Sequence, residues 1–495
     1  MSVQTAGRSG SPGWTPDLRS GLIVAGAMLL AATVVVGRGV MPTAAALIAL
    51  SALVVWHRWI LSWQVLVCGV IASVLFVPVG RYALAIQLPF GLEFYRLTVA
   101  FVLLLWVASL LVDPAVRLRR TPLDGPVALI VAASLCSIAV NFGRVAPLAS
   151  AVLKSATLFL SFVVVFFFIA SVVTTVSAVV AVTKFIVSGG AVVAAFAVVE
   201  QRTGFNVFDH VRTVLPFMQF EGAAGLQRYG LIRATGSADH PIALGVLLAM
   251  CLPLGFALAR SRSTLWAAPT IVTLVGMMAS VSRTPITAVI AAGVVFLWLR
   301  PWDLRPLLPL VIPMAILIKL VAPGSIGMMK SLFLPSGGAT SLIAEQSTLA
   351  GDPTLLSGRA NFWPRLVEGM HRPILGQGLG TRQTGDNNPL RNAPILDNQW
   401  LGTFLEFGLV GLFAWIWLIV RSVRRLSRLA RTRGSPEGVL AAAFAASITG
   451  FAIAMFTYDA LAFVQAAVVF WVILALSAAL VRAHSASDGA TQTAR

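Results

Sequence analysis

Apolar runs of roughly 17–25 residues recur along almost the whole chain, and each is about the length a helix needs to cross a hydrocarbon layer. They fall near residues 21–37, 40–56, 61–79, 94–112, 125–140, 152–173, 176–199, 241–259, 264–282, 284–299, 305–322, 397–420, 437–457 and 459–481. Hydrophobic residues make up 58% of the 495, charged residues 11%, and mean hydropathy is +0.89. A soluble domain with that balance would have no polar coat. The chain is therefore expected to be an all-α polytopic membrane protein with about 12–14 transmembrane helices. The alternation of an outer-membrane barrel is absent. No internal repeat is visible, which disfavours a transporter built from inverted repeats.

The formal net charge is +18, carried mostly by arginine. In a membrane protein, basic excess marks cytoplasmic connections or meets an anionic substrate. Nucleic acid is a poor partner, because no basic soluble region exists to hold it. With the N-terminus inside and every run crossing, Arg58, Arg117, Arg119, Arg120, Arg260, Arg262, Arg300, Arg305 and the series from Arg421 to Arg433 all fall on the cytoplasmic side. Cys68, Cys136 and Cys251 sit inside apolar runs and offer neither a disulfide framework nor zinc spacing. The arginine, alanine and valine bias points to a GC-rich bacterial genome.

This topology divides the chain into a disordered cytoplasmic tail (1–20), an N-terminal bundle (21–199), an extracytoplasmic loop (200–240), further helices (241–322), a large extracytoplasmic loop (323–396), C-terminal helices (397–481) and a cytoplasmic tail (482–495). Short amphipathic helices are expected in the two loops. One is read around Phe205–Phe217, the other around Phe362–Met370. Gly189–Gly190 is the only hint of a broken helix.

Charges near a bilayer are expensive, and their presence is functional by default. Arg233, Arg283, Arg359, Arg382 and Arg391 all fall on the outer side. An arginine fork matches a phosphate or pyrophosphate by paired hydrogen bonds. Taken singly, each has a bland reading: Arg283 snorkels, Arg233 pairs with Asp239, Arg359 caps or pairs. Their common side makes the anionic-substrate reading better than any one residue does. Asp397 opens the 397–420 run, where it suits N-capping, with Asn398 beside it, or a general base. Glu406, deeper in the same run, needs a partner or a proton. His240 is structural, a phosphate ligand, or a proton carrier. GQGLG at 376–380 is a tight turn but lacks the lysine of a Walker loop. Lys154 and Lys184 lie in apolar runs where their stems can snorkel.

At these residues the chain resembles the O-antigen ligase/polymerase family of bacterial envelope glycan assembly. The resemblance is carried by RATGSADHPIALG before a helix and by Ser282–Arg283 at a helix end. Arg359 and Trp363 followed by PILGQGLG continue it, and DNQWLGTFLEFGLVGL closes it. Where ligases of that family usually place a histidine before the asparagine, this chain has Asp397. The resemblance implies an inverting, metal-independent glycosyl transfer without cofactor, at the outer face of the bacterial plasma membrane. Its donor is a glycan on undecaprenyl pyrophosphate, its acceptor a glycan or a lipid, and membrane lipids surround both. Arg233, Arg283 and Arg359 are then expected to hold the pyrophosphate. Asp397 or His240 takes the proton, with Arg382, Arg391, Asn398 and Glu406 in support. A transporter or flippase of lipid-linked glycans is the rival reading, and it would want polar residues along a path through the membrane.

Overall fold

The computed structural model describes residues 61–84, 92–213, 231–304, 370–381, 396–432 and 434–493, with strand pieces at 218–220 and 227–228 and a few single positions. The runs near 21–37, 40–56 and 305–322 lie outside the described residues, as does most of the 323–396 loop, including the amphipathic piece around Phe362. The described residues from Val67 onward belong to one compact unit.

Each apolar run that falls on described residues is a helix. In chain order these are α1 (Trp63–Phe76), α2 (Phe94–Val112), α3 (Asp124–Val140), α4 (Ala149–Val172), α5 (Val176–Thr203), α6 (Pro241–Ser261), α7 (Ala267–Ala279), α8 (Arg283–Leu299), α9 (Gln399–Ala430), α10 (Pro436–Ala454) and α11 (Val464–Thr493). Among the described residues, seven spans are long and apolar enough to cross a membrane. A helix that is apolar all round has no solvent face, so it belongs in the middle of a bundle. That holds for α11, whose residues from Ala466 to Leu476 are all buried, and for α6, buried from Ala243 to Cys251. Trp471 of α11 sits among the rings of Phe159, Phe162, Phe166 and Trp415. Around this centre α6 packs on α5, α7, α8, α10 and α11, while α9 packs on α3 and α10.

Within the unit from Val67 onward, the basic connections meet at one end. Arg260 pairs with Asp303 at 3.0 Å and Arg262 with Glu437 at 3.6 Å. Arg300 donates to the carbonyls of Ala430 and Thr432, Arg421 to that of Pro122, and Arg482 to that of Val173. These contacts join the connections that the topology placed together.

Several expectations need correction. Gly189–Gly190 lies inside the unbroken α5, where Leu75 and Cys251 crowd the places a Cβ would take. The broken helix is α9 instead, interrupted at Gly408 (φ 68°, ψ −165°), and it runs on to Ala430. The 459–481 run becomes a helix only at Val464 and continues through the expected tail to Thr493. The 264–282 run begins as a 3-10 turn, Thr264–Trp266. Within the 200–240 loop the amphipathic piece is a 3-10 helix, Val207–Thr213. The chain also forms small antiparallel pairs that helix-period reading misses. β1 (Tyr82–Leu84) pairs with β2 (Met218–Phe220), and β3 (Gln227–Arg228) with β4 (Leu231–Ile232).

Candidate active site

Opposite the arginine-rich end, the segment Arg233–His240 is held by three side chains from elsewhere in the chain. Glu200, buried at the end of α5, accepts from the Thr235 amide (3.0 Å), the Thr235 hydroxyl (3.0 Å) and the Gly236 amide (2.7 Å). Arg81, only 2% exposed, pairs with Asp209 at 2.8 Å and donates to the carbonyls of Gly236 and Ala238. Asn206 donates to the Gly236 carbonyl at 2.9 Å. A buried charge persists only when its partners are supplied, and here backbone groups supply them. The loop is therefore set in one shape. Neither Arg81 nor Glu200 was singled out from sequence.

The segment delivers Arg233 and His240 to the ends of α7 and α6. The Ala234 amide donates to the Ala279 carbonyl at 3.1 Å, and Arg233 Nε reaches the Ser280 carbonyl at 3.5 Å. His240 caps α6: its Nδ1 accepts from the Ile242 amide at 3.2 Å. An accepting Nδ1 leaves the ring proton on Nε2. Burial, and then the Arg233 charge, pulls the His240 pKa down to about 4. At neutral pH the ring is thus uncharged and offers an Nε2–H donor. Its folded pKa lies below the ordinary 6.5, so as pH falls through 6.5 the unfolded chain gains the proton first and the fold weakens. We expect the pH–rate profile to show no histidine inflection between about pH 5 and 8. An inflection near 6.5 that vanishes in His240→Gln would contradict this assignment.

Arg283 opens α8 directly after a strained turn. Val281, fully buried and β-branched, sits at φ 49°, a region such residues rarely enter. Gly245, in the second turn of α6, faces Ser280 and Pro285 so closely that a Cβ would collide with both. That missing side chain lets the start of α6, with His240, lie against the turn bearing Arg283. Arg283 Nε is buried and makes no hydrogen bond.

The start of α9 joins the same neighbourhood. Asn398, not Asp397, is the N-cap: its side chain accepts from the Leu401 amide at 3.1 Å. Asp397 stands one residue earlier at φ 47°, the second strained non-glycine position among the described residues. Backbone strain of this kind gathers at functional sites. The Gln399 amide donates to the Met455 carbonyl at 2.7 Å, and Gln399 Oε1 accepts from the Leu461 amide at 3.0 Å. Thr457, in the same α10–α11 turn, bonds the Thr284 hydroxyl at 2.9 Å. The turn from Met455 to Leu461 thus touches the starts of both α8 and α9. Sequence reading passed it over, because it interrupts an apolar stretch with only a few polar residues.

Below Asp397 the glycine-rich segment docks into the gap in α9. The Gln377 amide donates to the Leu405 carbonyl (2.9 Å), and the Gly378 amide to the Glu406 carbonyl (3.3 Å) and Ser137 Oγ (3.0 Å). In return the Leu409 and Val410 amides reach the carbonyls of Pro373 (2.9 Å) and Ile374 (3.2 Å). Non-helical backbone at membrane depth survives only where protein satisfies it, and here GQGLG does so. These amides are consequently spent on structure, not on a phosphate. Glu406 is buried at this junction. Arg359, Arg382 and Arg391 lie outside the described residues.

The fold and this end of it define a multi-pass, all-α membrane protein with polar residues gathered at the starts of α6, α8 and α9. Residues 268–416, from α7 through the gap in α9, match the family model described as O-antigen ligase. The matched residues include Arg283, Asp397, Asn398, Glu406 and Gly408; Arg233 and His240 precede them. No curated protein matches the chain.

Proposed function

We propose that the chain is an inverting glycosyltransferase. It moves a glycan from an undecaprenyl-pyrophosphate-linked donor to an acceptor hydroxyl at the outer face of the bacterial plasma membrane, as a polymerase or a ligase. The observation that carries this reading is the convergence of Arg233, His240 and Arg283 on the strained Ser280–Ser282 turn. In the proposed step the acceptor oxygen attacks the anomeric carbon, and the bond from that carbon to the pyrophosphate oxygen breaks. The electron pair leaves with the lipid pyrophosphate, and the acceptor proton passes to a base. Arg233 and Arg283, with Arg359 from the outer loop, offset the charge that develops on the leaving group. His240, holding its proton on Nε2, suits a hydrogen-bond donor to the same anion. Asp397 is left as the base. Arg382, Arg391 and Glu406 remain supporting groups.

The outward orientation rests on charge: the opposite end carries the arginine clusters that mark the cytoplasmic face, so both termini are placed inside. The gap at Gly408 is a feature a transporter would share. Here, though, the freed backbone groups are occupied by Pro373–Gly378 rather than left open to cargo.

The test is Asp397→Asn in reconstituted membranes with a polyprenyl-pyrophosphate glycan donor. Asparagine tolerates the left-handed conformation that Asp397 adopts, so the backbone stays put. We expect kcat to fall by about 10²–10⁴-fold with donor KM unchanged. A rate equal to wild type would remove Asp397 as the base.

A further inference from the structure

A cavity of about 170 Å³ opens beside the candidate site, among the starts of α2, α4, α6 and α11. Its lining includes Glu93, Arg96, Lys154, Asp239, Phe463 and Gln465, residues to which the matched family segment does not extend. It adjoins the site directly. Asp239 precedes His240, and the His240 ring lies 5.4 Å from that of Phe463.

One buried polar atom at this cavity, Gln465 Oε1, is without a partner and describes what a ligand would bring. Gln465 is 3% exposed, and its Nε2 donates to the Val74 carbonyl (2.9 Å) and to Ser237 Oγ (2.7 Å). Only an NH₂ can serve a carbonyl, so the amide orientation is fixed. Its Oε1 is left with no donor. Glu93 is ion-paired with Arg96, its Oε2 standing 3.5 Å from Arg96 Nε. Burial pushes both the Glu93 and Asp239 carboxyls above their usual range. Gln465 Oε1 is therefore a buried acceptor in want of a donor at the wall of this cavity. A buried acceptor without a donor costs about 1–3 kcal/mol, so a ligand bearing hydroxyls is favoured. An anion would meet two carboxylates, and a cation would meet Arg96 and Lys154. A neutral, hydroxyl-rich molecule meets neither objection, and Phe463 gives its apolar face a surface.

We propose that this cavity receives one neutral sugar ring of the acceptor glycan, whose hydroxyls donate to Gln465 Oε1 and the Glu93 and Asp239 carboxyls. The word acceptor rests on the glycosyl-transfer reading; saccharide binding does not.

The experiment reads binding directly, on the full chain in lipid nanodiscs without donor. The probes are the methyl glycosides of glucose, galactose, mannose, rhamnose and N-acetylglucosamine, with inorganic pyrophosphate as the anionic probe. At least one glycoside should bind, with affinity reduced tenfold or more in Gln465→Leu. Because Gln465 also holds Val74 and Ser237, the exposed Lys154→Met serves as a second variant, in which the same glycoside should weaken several-fold. Pyrophosphate affinity should be unchanged in both. The proposal is overturned if no glycoside binds the wild type, if both variants bind as wild type does, or if pyrophosphate displaces the glycoside and weakens in Lys154→Met. Binding without transfer from any lipid-linked donor would support the saccharide site and sink the transferase reading. Transfer without glycoside binding would do the reverse.

Discussion

Arg283→Ala should lower transfer from a polyprenyl-pyrophosphate glycan by about 10²–10³-fold, the usual loss when one preorganised donor to a developing anion is removed. Arg283 is the best placed of the arginines for this role. It opens α8 behind a turn whose shape is over-determined by Val281, Gly245 and the Ser280 contacts. Its Nε is buried with no hydrogen-bond partner, so that nitrogen gives up no protein contact when an anion arrives. Lysine should restore little, since it offers a point charge in place of a planar fork. The loss should appear in kcat and in kcat/KM together, marking an interaction made in the transition state. Full activity of Arg283→Ala, with the protein correctly inserted, would remove the pyrophosphate role.

Gly408→Ala should be the most disruptive small substitution in the described membrane helices. At φ 68°, ψ −165° the residue occupies a region that side chains other than glycine essentially never reach. An added Cβ would also meet the carbonyl of Ile374. The expected cost is about 3 kcal/mol or more. The docking of Pro373–Gly378 would be lost with it. Gly293→Ala is the control, because nothing lies within 4 Å of the place its Cβ would take. Thermal unfolding in detergent should separate the two variants clearly, and transfer should fall tenfold or more in Gly408→Ala alone. Equal stability of the two would mean that the gap in α9 does not hold the glycine-rich segment.

The helices were legible because a bilayer sets the same length on every one of them, whatever their order. The ends of the runs were legible for a similar reason. Arg233, His240 and Arg283 are polar residues where apolar sequence stops, and such residues need an explanation. What held them was not legible. Arg81 and Glu200 work on backbone groups of Thr235, Gly236 and Ala238, and no side-chain pattern announces a partner that is a peptide bond. The gap at Gly408 was hidden for another reason: EFGLVG reads as ordinary membrane helix, where glycine is common. Only the docked segment, which ends 30 residues earlier at Gly378, makes the interruption stable. Asp397 and Asn398 show the limit at single-residue scale. Both are good caps, and which one caps depends on a single backbone angle.

The helices α6, α8 and α9 all begin at the candidate site. Each presents the positive pole of its peptide dipoles there, worth about 0.3–1 kcal/mol apiece toward a nearby anion. That contribution belongs to the main chain and survives any side-chain replacement. Even a protein stripped of Arg233 and Arg283 should keep a faint attraction for pyrophosphate, and its residual binding would measure what the backbone supplies unaided.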